Sequence, residues 1–290
     1  MNRGTRWQDG SNAERQVMTP HPVLVDAHVH VWDAAAGPDD RLGSAGTIER
    51  LVATFDEHSV TRGVLIQPSY YGTDHRYLLA ALESVGDRLV GVALAEPDDP
   101  TGLDALAAVA AVPAIRGIRV PLIRAPADWL SAAGEAVWRV AQESSCVVCA
   151  FVMPEQLADL HPWLELFPDV PVAVDHLAGL DLADDRGTAT MELLSDLARR
   201  PNVYVKASSL PAISRESFPH RDVWPAVWAV LDSFGHDRVL WGSDYPAILP
   251  YGTYGESVDV ARLALATLPS EVAVAVLGGT ALRLFFGSGA

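Results

Sequence analysis

The sequence predicts an α/β chain folded as a single (β/α)8 TIM barrel with an extra C-terminal helix. Eight short β-branched runs recur along it, each followed by an Ala/Leu-rich stretch of helical length. The runs are nearly continuously apolar, as expected of parallel strands covered on both faces. The turn after the first run reads His28-Val29-His30-Val31-Trp32, where a doubly wound sheet would place a Gly-rich phosphate turn.

Taken in order, residues 1–20 are polar and lack apolar periodicity, which predicts a flexible N-terminal arm, with the barrel over residues 21–290. The first strand enters after Pro22 and ends in His28 and His30. The next strands are expected at Gly63–Gln67, Leu89–Leu94, Ile115–Val120, Cys146–Val152, Val170–His176, Val203–Lys206 and Val239–Gly242. Helices are expected at Ile48–His58, Tyr77–Val85, Gly102–Ala110, Trp129–Glu143, Pro154–Phe167, Ala189–Arg199, Trp224–Phe234 and Ser257–Leu268. Ser270–Phe285 is the extra one.

Composition narrows the partners. The 21 Lys and Arg against 37 Asp and Glu give a net charge of −16, which disfavours nucleic acid and anionic membrane surfaces. No apolar run approaches the roughly 20 residues that span a bilayer, and the N-terminus lacks a signal-peptide core, so a cytoplasmic location is expected. Cys146 and Cys149 lie in an apolar run, and with no second pair or nearby histidine they read as core residues. The Trp224–Trp228 stretch reads as a barrel-facing helix side or a homodimer contact.

In such a barrel the strand ends line the catalytic mouth. His28 and His30, spaced i, i+2, project to one side, with Asp26 beneath them. Strand four offers Arg119, strand six His176 (with Asp175 facing away as a structural partner), strand seven Lys206 and then Ser208, and strand eight Asp244. Titratable groups gathered at one end of otherwise apolar strands point to a site. The chemistry they suit is hydrolysis at a carbonyl. Asp244 would act as general base or metal ligand, and the three histidines would polarise the carbonyl directly or through a divalent ion. Arg119 and Lys206 would neutralise a carboxylate or oxyanion. Ser208, Gln67, Trp32 and Tyr245 complete the expected substrate contacts. The loops also hold Tyr70, Tyr71, Trp129, Phe218, Tyr251 and Tyr254, suited to a small anionic ring. His21, His58, His75, His161, His220 and His236 read as surface or capping residues.

Val25-Asp26-Ala27-His28-Val29-His30, Arg116-Gly117-Ile118-Arg119, Asp175-His176-Leu177-Ala178-Gly179, Val205-Lys206-Ala207-Ser208 and Trp241-Gly242-Ser243-Asp244-Tyr245-Pro246 occur in that order, with Leu277–Phe285 closing the chain. Together they resemble the amidohydrolase-related (amidohydrolase 2) family of the amidohydrolase superfamily, and within it the branch of pyrone-dicarboxylate and sugar lactonases. The resemblance implies a (β/α)8 barrel, a catalytic cluster of His28, His30, His176 and Asp244, Asp244 as the base that activates water, and arginines for substrate carboxylates. Metal-dependent relatives carry a histidine at the end of strand five, where this chain has Cys149-Ala150-Phe151-Val152-Met153. No cofactor is therefore favoured, although His28, His30, His176 and Asp244 could hold one Zn2+. Thr280 stands where the family usually has Asn and is read as a helix N-cap.

A lactonase acting on a small carboxylated ring is the leading reading. The alternatives are a metal-dependent decarboxylase of an aromatic or unsaturated acid, and a barrel that only binds a ligand.

Overall fold

The computed structural model describes residues 23–35, 42–97, 102–124, 126–182 and 186–287. The expected N-terminal arm and His21 lie outside them. Eight parallel strands pair in sequence order: β1 (Leu24–Val29), β2 (Val60–Ile66), β3 (Leu89–Leu94), β4 (Ile115–Pro121), β5 (Val147–Phe151), β6 (Val172–Val174), β7 (Val203–Ser208) and β8 (Val239–Gly242). The ring closes where Val29 bridges Tyr245. There the His30 N–H donates to the Tyr245 carbonyl at 2.7 Å and the Asp244 N–H to the His28 carbonyl at 2.8 Å. The closing seam is therefore built from the backbone of the residues expected to carry the chemistry.

Helices separate the strands as the periodicity predicts, several with readable starts. Thr253 and Glu256 form a reciprocal capping box, Thr253 Oγ1 accepting from the Glu256 N–H and Glu256 Oε2 from the Thr253 N–H. Ser131 caps Ala132–Glu143 in the same sense, so that helix starts three residues later than expected. The stretch expected as one helix over Pro154–Phe167 divides into a tight 3-10 turn (Pro154–Leu160) and a short helix (His161–Leu166). Pro162, which lacks an N–H, sits where it can only begin a helix. Among the described residues, no helix is long and apolar enough to cross a membrane.

Two buried layers result. The outer one packs the strands against the helices, with Trp138, Trp163 and Phe167 stacked between them. The inner one fills the barrel with Val25, Ala27, Val64, Val92, Val147, Cys149 and Leu240. Its floor is the chain's closing segment. After Ser270–Val274 the helix widens into π turns that bring Ala281 and Phe285 under the barrel. Gly278 permits this approach, since a Cβ there would stand 1.9 Å from the Val23 carbonyl oxygen. Thr280 is not an N-cap: it has helical backbone, and its hydroxyl donates to the His236 carbonyl at 3.1 Å. Cys146 and Cys149 are free and buried in different layers, and burial pushes both thiols up to about 11.

Candidate active site

β1 delivers both histidines to one place, as their spacing requires: His28 Nε2 and His30 Nε2 are 3.2 Å apart. Asp26 does not join them. Its Oδ1 accepts from the backbone N–H groups of His28 and Ser243, and its Oδ2 from the Tyr254 hydroxyl. A register irregularity between Asp26 and Val29 releases this carboxylate from the His28 face to lace β1 to the chain after β8. Burial pushes Asp26 up to about 6.

The loops after β6, β7 and β8 share a backbone feature. His176 (φ 52°), Ser209 (φ 56°) and Asp244 (φ 67°) all adopt left-handed conformations. The first of these corrects two expectations. β6 ends at Val174, not His176, because His176, Leu177 and Ala178 turn left-handed immediately after it. That turn lets Asp175 and His176 both reach the barrel interior, so Asp175 does not face away as strand alternation predicts. Its Oδ1 lies 3.0 Å from Lys206 Nζ and 3.4 Å from His28 Nδ1, and its Oδ2 is 3.8 Å from Arg119 Nε. Neither oxygen has a well-directed hydrogen bond, so charge more than donor geometry holds this group together.

Asp244 Oδ1 faces His30 Nε2 at 3.3 Å and His28 Nε2 at 3.8 Å, and Oδ2 accepts from the Ser209 hydroxyl at 2.9 Å. Burial pushes the Asp244 carboxyl up, but His176, the hydrogen bond to His30 and His28 outweigh it and hold the group below the usual carboxylate range. Burial pushes His28 and His176 down, favouring neutral rings. An ionised base thus faces the histidines.

The tautomers follow from the partners. His30 Nδ1 lies 2.8 Å from the Ile66 carbonyl, which only accepts, so Nδ1 carries a proton; a neutral ring then presents a lone pair at Nε2, and a protonated one donates from Nε2 to Asp244 Oδ1. If His30 is neutral and His28 carries its proton on Nδ1, toward Asp175, then three bare acceptors converge: His28 Nε2, His30 Nε2 and Asp244 Oδ1. A positive centre must then lie among them. A proton on His28 Nε2, shared with His30, meets this need, and so does a metal ion. A tetrahedral ion with ligands at roughly 2.0–2.1 Å spaces its donors roughly 3.3–3.4 Å apart, close to the 3.2, 3.3 and 3.8 Å separations here. His28, His176 and Asp244 likewise offer ligand atoms within 4.8 Å of one another. The Asp175 carboxylate behind His28 Nδ1 is the kind of outer partner that orients metal-bound imidazoles. This donor set fits one divalent ion.

The expected substrate contacts divide. Arg119 is buried with its guanidinium 4.6 Å over the Phe151 ring, and its Nε has no hydrogen-bond partner. Lys206 is sealed beneath the histidines, where Asp175 raises its pKa against the opposing effect of burial. The Ser208 hydroxyl lies 2.9 Å from His176 Nδ1. Trp32 Nε1 donates to the Gly43 carbonyl, the Tyr245 hydroxyl to Ala45, and the Gln67 amide to Gly72 and Asp74. These last three brace loops with the polar groups expected to meet substrate, because a buried donor must find a partner within reach. Of the loop aromatics, Tyr70, Phe218 and Tyr251 are exposed, while Trp129 and Tyr254 are buried packing residues. His75 and His220, expected at the surface, are buried against the Leu94 and Glu216 carbonyls. Ser209 is the site residue that sequence reasoning missed. Nothing in Ser208-Ser209 announces which hydroxyl will face Asp244.

A family model described as Amidohydrolase matches residues 25–287. An L-fucono-1,5-lactonase from Burkholderia ambifaria is 32% identical over 80% of this chain and 83% of its own length. A 2-pyrone-4,6-dicarboxylate hydrolase from Comamonas testosteroni is 28% identical over 77% of this chain and 76% of its own. The fold matches that of an amidohydrolase from Burkholderia multivorans solved with bound zinc, with a TM-score of 0.78, 22% identity, and coverage of 91% of this chain and 99% of that one.

Proposed function

This chain belongs to the amidohydrolase family, and we propose that it is a hydrolase that opens a small carboxylated lactone ring by adding water to its carbonyl. The observation that carries the reading is Asp244, ionised, with one oxygen anchored and the other turned to two histidines at the barrel mouth. The lactone hydrolases among its relatives support it.

Asp244 Oδ1 takes a proton from water as the water oxygen bonds to the carbonyl carbon. An imidazole N–H, on His28 or His176 when the proton sits on Nε2, stabilises the oxyanion that forms, and the Arg119 guanidinium, only loosely paired with Asp175, meets a substrate carboxylate. The ring C–O bond then breaks, and the proton held by Asp244 passes to the departing oxygen, leaving a hydroxy acid. His28, His30, His176 and Asp244 would hold one divalent ion, zinc being the best match to the donors, and it would supply Lewis-acid polarisation of the carbonyl. Lys206 and Asp175 reach no substrate in this arrangement and serve to hold His28.

The test is turnover of a panel of carboxylated and neutral lactones, alongside elemental analysis of untagged protein and assays before and after a chelator. Turnover favouring carboxylated rings over neutral ones is expected. No turnover on any lactone, or preference for neutral aliphatic rings alone, would overturn the reading. About one equivalent of zinc, with activity lost on its removal, assigns the four donors as ligands. Activity retained without metal assigns polarisation to the histidines themselves.

A further inference from the structure

Left-handed backbone is unfavourable for any residue with a Cβ and readily adopted by glycine. At position 209 the chain nevertheless carries serine, at φ 56° and ψ 28°. The side chain is nine-tenths buried, and its hydroxyl donates to Asp244 Oδ2 at 2.9 Å. The opposite oxygen, Oδ1, faces His30 and His28. The neighbouring Ser208 holds the other side of the site, with its oxygen 2.9 Å from His176 Nδ1 while accepting from the His176 backbone N–H at 3.3 Å. The Ser208-Ser209 dipeptide at the end of β7 therefore reaches both flanking loops, the one after β6 and the one after β8.

We propose that Ser209 is a positioning residue for the base. It ties down Asp244 Oδ2 so that Oδ1 is the oxygen presented to the attacking water, and backbone strain is retained at 209 to keep that hydroxyl. The carboxylate has a terminal torsion that is soft and roughly two-fold. Without the Ser209 donor it turns freely, and the fraction of molecules with an oxygen correctly aimed falls. This rests on the proposed role of Asp244 as base.

Three variants separate positioning from structure. Ser209→Gly relieves the left-handed strain and removes the hydroxyl, so its Tm should equal or exceed that of the parent. Its kcat should nevertheless fall roughly 10- to 100-fold, the scale of a lost hydrogen bond to a charged group, with KM within about two-fold. Ser209→Ala should show the same kcat loss at a different Tm. Ser209→Thr keeps the hydroxyl on a β-branched residue poorly suited to this backbone, so it should be the least stable of the three and the most active. A purely structural residue would move kcat and Tm together, and that result overturns the proposal. Crystal structures of the parent and Ser209→Gly give a readout independent of substrate. The Asp244 carboxylate should leave its 3.3 Å approach to His30 in the variant, and an unmoved carboxylate overturns the proposal. A parent inactive on every lactone defeats the proposed function alone, and the carboxylate position still decides the role of Ser209.

Discussion

Lys206 Nζ lies 3.0 Å from Asp175 Oδ1 with both side chains fully buried beneath His28. Asp175 is held below the usual carboxylate range because Lys206 and His28 outweigh the effect of burial. The two charges were removed from water together, and neither is tolerable alone. Lys206→Met should therefore destabilise the fold by about 3–5 kcal/mol, lowering Tm by roughly 10 °C. Calorimetry checks this, and a change of only a degree or two would mean that Asp175 finds other partners.

Asp244→Asn keeps the shape of the side chain and removes the proposed base. We expect kcat/KM to fall by at least about 100-fold with the far-UV circular dichroism spectrum unchanged.

Arg119→Met removes a buried cation whose Nε has no hydrogen-bond partner among the described residues. KM for carboxylated lactones should rise roughly 10- to 100-fold while neutral lactones are little affected. Equal losses on both would place Arg119 in support of Asp175 rather than against substrate.

Acid should destabilise the fold in two stages. His28 and His176 have folded pKa values lowered by burial, so the unfolded chain binds protons more readily, and stability falls as pH drops below about 6.5. Asp175 and Asp244 are depressed below 3.8, and their contribution is lost as pH falls further through their folded values. Asp26, raised to about 6, acts oppositely, favouring the folded state as pH drops from about 6 towards 3.8. It is one carboxyl against two imidazoles over the upper part of that range. Tm measured from pH 7.5 down to 5 should decline, and a flat profile would show that these rings titrate normally.

Phe285, fully buried under the barrel and 5.7 Å from Lys206 Nζ, closes the inner core. Phe285→Ala should cost about 3–5 kcal/mol, read as a lower urea midpoint.

Much of this is legible in the sequence. Eight β-branched runs and their helices gave the barrel, because apolar periodicity reports burial directly. His28, His30, His176 and Asp244 do converge at the barrel mouth, where residues at the ends of barrel strands are expected to meet. Strand alternation misled where the backbone departs from it. The left-handed turn at His176 brings Asp175 inward, and the irregularity after Asp26 takes that carboxylate out of the cluster. Trp32, Gln67 and Tyr245 looked like mouth residues because polar aromatic and amide groups suit ligands. Their loop carbonyl partners depend on three-dimensional proximity that spacing does not encode.

The seam between β1 and β8 has a consequence for biosynthesis. Asp26 and Ser243, joined there by a hydrogen bond, stand 217 positions apart in the chain. A nascent polypeptide still lacking β8 and the turn after it has neither a closed ring nor Asp244 opposite its histidines. Ring closure and the assembly of the proposed base opposite its histidines are thus one event, which waits until the chain has been made through Asp244, and a fragment truncated before that residue should carry no activity.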